Sequence, residues 1–137
     1  MKFLLTLLLL AGITTAKAQA TIELSDIANH VGDSVKVSGN IFGVRYLEGA
    51  KNSPTFINVG AAYPNQLLTI VIWGDVRKKL DYTPEDKKFA HAMAIVTGKV
   101  ELYKSKPQIV ITDSKQLLLL YDKEVPVSEL PKNIEQL

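Results

Sequence analysis

Through the middle of the chain, apolar and polar residues alternate with period 2 more often than they recur with period 3.6. Val35, Val37 and Ile41 are interleaved with Lys36, Ser38 and Asn40, the pattern of a strand with one buried face. Gly39 within this run predicts a bulge or sharp coil, because glycine weakens a regular strand interior. Residues 55–59 make a second, shorter strand, and residues 67–73 a third with β-branched side chains on both faces. A fourth covers 92–103 and is interrupted by Gly98; a fifth covers 107–112, after the hairpin-length connection Lys104-Ser105-Lys106. In the second strand Ile57 and Val59 share one parity and Phe56 and Asn58 the other. Alternation therefore assigns the β-branched pair to the core and Phe56 and Asn58 to the outer face.

Helical signals are short and sit between strands. Ser25 is placed to cap a turn over 26–30, and Asp75 one over 76–80. Thr83-Pro84-Glu85-Asp86 joins a cap residue to a proline and acids suited to a first turn. The expected architecture is all-β, a five-stranded closed barrel with a short helical connection between strands three and four. Two flat sheets would not need glycine inside the long first and fourth strands, whereas a small barrel such as the OB-fold does.

The two ends read differently. Met1-Lys2, the apolar run 3–13 and Ala16-Lys17-Ala18 are the three parts of a secretory signal peptide, with cleavage expected after Ala18 or Ala20. The run falls short of the roughly 20 apolar residues of a membrane span, so no stable membrane anchor is expected. Past Tyr121 the apolar pattern gives way to Pro126, Pro131, four acids and two lysines. The expected organisation is a signal peptide over 1–18, an OB-fold-like barrel over 19–121 and a polar tail over 122–137, in a protein exported to the periplasm or the extracellular space.

Composition narrows the chemistry. The 137 residues contain no cysteine, which excludes a disulfide framework, thiolate metal sites, a cysteine nucleophile and a lipidated N-terminal cysteine. The formal charge of +2 falls to zero once Lys2 and Lys17 leave with the signal peptide. Attraction to a polyanion must therefore come from a local patch rather than from the whole molecule.

Several segments together resemble a known family: His30-Val31-Gly32-Asp33-Ser34-Val35-Lys36-Val37-Ser38-Gly39, Pro54-Thr55-Phe56-Ile57-Asn58-Val59-Gly60 with Tyr63-Pro64-Asn65, Val96-Thr97-Gly98-Lys99-Val100, and Lys106-Pro107-Gln108-Ile109-Val110-Ile111. In this order they are similar to the strand signatures of bacterial OB-fold nucleic-acid-binding domains of the tRNA-anticodon-binding type, and to small exported bacterial OB-fold proteins. The resemblance spans residues 25–118 and departs from the usual pattern at Ala90-His91, where such domains often carry Gly-Lys. It implies a fold and a binding face, and fold alone does not assign function.

Catalytic motifs are lacking. His30 and His91 are far apart and form no HExxH spacing, no GxSxG elbow is present, and no GxxxxGK phosphate loop occurs. Both histidines read as structural, and Trp73 reads as a lid on the core. A thermonuclease-like reaction needs a carboxylate cluster and arginines on the developing charge; Arg45 and Arg77 are the only arginines, and Asp33, Glu48 and Asp75 stand singly. Neither a catalytic residue nor a cofactor nor a metal is expected.

Binding chemistry is better represented. In OB-folds a ligand usually lies across strands two and three, bordered by the loops between strands one and two and between four and five. Arg45, Tyr46 and Lys51 fall at the first loop and Tyr103, Lys104 and Lys106 at the second, with Phe56 and Asn58 on the sheet between them. Aromatic rings that stack on bases and cations that track phosphates are what a single-strand site requires. Tyr63-Pro64-Asn65-Gln66 reads as a turn that places Tyr63 and Gln66 at one end of this face. The expected function is a non-catalytic module binding single-stranded nucleic acid, DNA or RNA, with an envelope protein- or glycan-binding module as the alternative.

Overall fold

A computed structural model describes residues 19–122. Among the described residues the protein is mostly β, a mixed sheet with one short α-helix. Its strands are β1 (Ala20–Thr21), β2 (Ser34–Tyr46), β3 (Thr55–Val59), β4 (Leu68–Ile72), β5 (Met93–Lys99), β6 (Glu101–Tyr103), β7 (Lys106–Ile111) and β8 (Leu117–Leu120). The ladders follow the order β6-β7-β4-β3-β2-β5-β8, with β1 added in parallel beside β2. β4 and β7 are parallel; the other pairs along this path are antiparallel.

Five expected strands have become eight for local reasons. The fourth is divided at Val100, whose N–H donates to the Asp33 carbonyl and whose carbonyl accepts from Gly32, so its backbone groups leave the ladder there. β1 is only two residues long. The run Leu117–Leu120 has no polar residue to reveal a period, yet it alternates in space: Leu117 and Leu119 are buried while Leu118 and Leu120 are exposed.

One core fills the interior. Val35, Val37, Ile57, Val59, Ile70, Ile72, Val96, Ile109 and Ile111 are each at most 1 % exposed, and burying such a side chain stabilises by about 1.5–3 kcal/mol. A one-residue slip of β3 would bring out Ile57 and Val59 together, which fixes its register.

Gly39 does not form the bulge expected of it. It pairs regularly with Ala94, and the register shift falls later, between Ile41 and Gly43, at Phe42. Glycine is required at 39 by close approach: a Cβ there would stand 2.6 Å from Leu24 Cδ2 and 2.7 Å from Val59 Cγ1. Gly98 has the same reason to be small, since its Cβ would lie 2.6 Å from Ile109 Cγ2.

The connection from β4 to β5 contains helix α1 (Gly74–Arg77) and a single 3-10 turn at Lys87–Phe89. Asp75 accepts from the Val76 N–H at 2.9 Å, but it lies inside α1 rather than at its cap, which is Trp73 with no side-chain cap bond, and Thr83-Pro84-Glu85-Asp86 starts no α-helix. The segment 26–30 is part of a 3-10 helix, Leu24–His30, with no side-chain cap from Ser25. Among the described residues no helix is long and apolar enough to cross a membrane. The expected signal peptide and nearly all of the expected tail lie outside the described residues.

Candidate functional site

The site begins with the bulge at Phe42. Ile41 points into the core before it and Val44 packs against the core after it, so the inward parity of β2 reverses and Arg45 turns outward. Arg45 then pairs with Phe56, Phe56 with Val71 and Val71 with Val110, in one row across β2, β3, β4 and β7. The next row runs Gly43, Asn58, Thr69, Gln108. Because Gly43 has no side chain, Asn58 Nδ2 lies 3.7 Å from where its Cβ would stand. Successive pairs bring outward-facing side chains from distant parts of the chain onto one surface.

Two loops wall this surface. Lys104 and Ser105 form the turn of the β6–β7 hairpin with φ of 48° and 65°, the two left-handed positions of a type I′ turn. Lys104 Nζ lies 5.5 Å from the centre of the Tyr103 ring. Lys106 Nζ donates to the Pro64 carbonyl, which ties the hairpin to the 63–66 turn on the opposite side. The enclosed depression, of about 440 Å³, is lined by Arg45, Phe56, Asn58, Tyr103, Lys104 and Lys106, and further by Tyr63, Pro64, Gln66, Thr69, Pro107 and Gln108. No acidic residue lines it among those described.

Six of the eight residues singled out by sequence therefore meet in one place. Tyr46 and Lys51 do not line it. Tyr46 follows Arg45 with opposite parity, and the Arg77 guanidinium covers its ring at 3.6 Å. Lys51 is exposed within the 47–54 loop.

Thr69, Pro64, Pro107 and Gln108 were not among those eight. Only the pairing of β3 with β4 and of β4 with β7 aligns Asn58, Thr69 and Gln108. Tyr63 and Gln66, which the turn placed at one end of the face, also line it. Gln66 Nε2 donates to Thr69 Oγ1 at 3.2 Å, while Gln66 Oε1 is shielded from solvent without a partner. Tyr63 and Tyr103 are the most exposed aromatic rings of the site, at 76 % and 60 %.

The other sequence candidates have structural partners. His30 bridges Asp26 (3.0 Å) and Asp33 (3.2 Å). Hydrogen bonds from Asn29 and then from His30 hold the Asp26 carboxyl below its usual range. Arg77 donates to Thr55 Oγ1 and to both Glu85 oxygens. Trp73 is 37 % exposed rather than a lid, and it lines a second depression of about 760 Å³ between the 47–54 loop and the connection after β4. In the same depression burial, with Asp81 adding to it, pushes the Tyr82 phenol up to about 12.

No family model matches the chain, and no curated protein sequence does. Solved structures are similar to it in fold. One is that of yeast Stn1 and Ten1, at 9% identity and a TM-score of 0.54 over 78% of this chain and 65% of the matched one. Another is a Leishmania major Friedlin chain assigned as an aspartyl-tRNA synthetase, at 13% identity and a TM-score of 0.52 over 82% of this chain. The present chain spans 23% of that protein's length. The likeness is to OB-fold domains, and at these identities it is a likeness of fold.

Proposed function

We propose that this chain is an exported, non-catalytic OB-fold module that binds single-stranded nucleic acid across β3, β4 and β7. The observation that carries the reading is the convergence of Arg45, Lys104 and Lys106 with Phe56, Tyr63 and Tyr103 around one depression whose described lining has no carboxylate. Cations pair with phosphates, exposed rings stack on bases, and Asn58, Thr69 and Gln108 offer donors and acceptors to base edges. The aspartyl-tRNA synthetase likeness favours the same ligand class, since such an enzyme by its name acts on a tRNA.

Barrel closure belongs to this reading. β5 pairs with β2 and β6 pairs with β7, with Val100 alone between β5 and β6. A strand that changes partner at a bend joins the ends of a small barrel without an added ladder. Export is supported by the charged start, apolar run and small-residue site within residues 1–18, and it would place the module in the periplasm or outside the cell. The non-catalytic reading is supported by the engagement of Arg77 with Glu85, Thr55 and Tyr46, which leaves Arg45 as the other arginine.

Titration of the protein with labelled oligothymidylate and oligouridylate at several salt concentrations tests the proposal. Three phosphate contacts predict a log K against log salt slope of about −2 for a single strand. Absence of binding to either oligonucleotide at low salt refutes it, and salt-independent binding of a protein or glycan in its place favours the alternative module.

A further inference from the structure

The second depression has a different chemistry from the first. Its rim includes Asn52 and Ser53, consecutive non-glycine residues with φ of 62° and 42°. Asparagine tolerates left-handed backbone and serine does so less readily, and such a conformation persists where the surroundings enforce it. Here the Gly74 N–H donates to the Asn52 carbonyl at 2.8 Å, and a Cβ at Gly74 would stand 3.0 Å from that oxygen. The loop is thus held against the start of α1, with Trp73 beside it.

The back wall is internally satisfied. Arg77 is engaged by Glu85 and Thr55 and stacked on Tyr46, so its charge is neutralised in place. Tyr82 differs, because its hydroxyl is shielded from solvent, has no hydrogen-bond partner and belongs to a residue lining the depression. A hydroxyl so shielded is out of a ligand's reach, and Tyr82 serves as wall rather than as donor.

What remains for a ligand is balanced in charge. Asp75 keeps one oxygen free, the other accepting from the Val76 N–H, and Lys78 contributes one ammonium nearby. A phosphate would meet the carboxylate, and a simple cation the ammonium. A molecule with many hydroxyls, each donor and acceptor, and an apolar C–H face for the half-exposed indole satisfies the whole set. We propose that this depression is a binding site for a neutral saccharide, with a sugar ring lying against Trp73 and its hydroxyls held by Asn52, Asp75 and Lys78. The site is separate from the face assigned to nucleic acid, and its existence does not depend on that assignment.

Trp73 is the only tryptophan in the chain, so intrinsic tryptophan emission reports on this depression. The full chain would be titrated with chitotetraose, maltotetraose and cellotetraose at low and high salt. At least one should give a saturable, salt-insensitive change in Trp73 emission. Asn52→Gly keeps the left-handed backbone while removing the amide, and Lys78→Ala alters an exposed side chain; each should weaken that sugar by about tenfold, the value of one hydrogen bond. Lys104→Ala with Lys106→Ala should leave sugar affinity unchanged. No saturable change with any of the three sugars up to the solubility limit overturns the proposal. So does binding that both Asn52→Gly and Lys78→Ala leave intact, or competition between the sugar and oligothymidylate.

Discussion

Arg77 and Glu85 form a two-armed ion pair, with Nη1 at 2.9 Å from Oε2 and Nη2 bonded to Oε1, between helix α1 and the segment that leads to β5. The same Nη1 donates to Thr55, which is fully buried at the start of β3. One guanidinium thus joins the helical connection to the sheet, and the bond from Arg77 holds the Glu85 carboxyl below its usual range.

A lowered folded-state pKa sets the sign of the pH effect. The pair stabilises fully above the unfolded glutamate pKa of about 4.3, and its contribution is lost as pH falls through the lower folded value. Glu85→Gln should therefore cost about 1 kcal/mol at neutral pH, discounted for partial exposure. Thermal unfolding at pH 7 and pH 3 checks this: the difference between parent and variant should shrink at the acid end.

Gly39→Ala and Gly98→Ala should each destabilise by about 1–3 kcal/mol, because the new methyl meets Leu24 and Val59 in one case and Ile109 in the other. Gly49, around which a Cβ meets nothing within 4 Å, provides the control. Urea unfolding of the three variants measures the contrast, and equal stabilities would show that the sheet yields at these contacts.

The β6–β7 turn separates stability from binding. Ser105→Gly relieves a left-handed position and should stabilise by about 0.5–1 kcal/mol with oligonucleotide affinity retained. Adding Lys104→Asn should preserve the turn but weaken oligonucleotide binding and reduce the magnitude of the salt slope by about 0.7. Paired melting curves and titrations distinguish these effects.

Two tyrosines should behave oppositely. Tyr103→Ala removes an exposed ring and should cost roughly 1–3 kcal/mol of oligonucleotide binding with little change in salt slope, since stacking releases no counterion. Tyr46→Ala strips the platform from Arg77 and should cost about 1–2 kcal/mol of stability with binding kept. If Tyr46→Ala alone impairs binding, the face over β3 and β4 is not the site.

Mass spectrometry of the protein recovered from its native envelope or medium tests export. The expected mature chain begins at Gln19 or Thr21, after cleavage at Ala18 or Ala20; retention of Met1 in that fraction would rule out processing.

Period 2 in residues 55–59 separates Ile57 and Val59 from Phe56 and Asn58, and the β-branched character of the first pair assigns it to the core, where both are buried. The two cation-bearing loops were legible for a similar reason, since turn residues and short connections are local chemistry. The leucine run of β8 was not, as four identical apolar residues carry no period.

Tertiary structure decided the rest through long-range pairing. Arg45 and Tyr46 are neighbours in sequence, yet the bulge at Phe42 sends Arg45 to the cationic face and Tyr46 beneath Arg77. The row Asn58, Thr69, Gln108 depends on the parallel register of β4 against β7, whose partners are about forty residues apart. Alternation along a strand specifies which way a side chain points, while the side chains beside it are chosen by a register that core packing across the whole sheet selects.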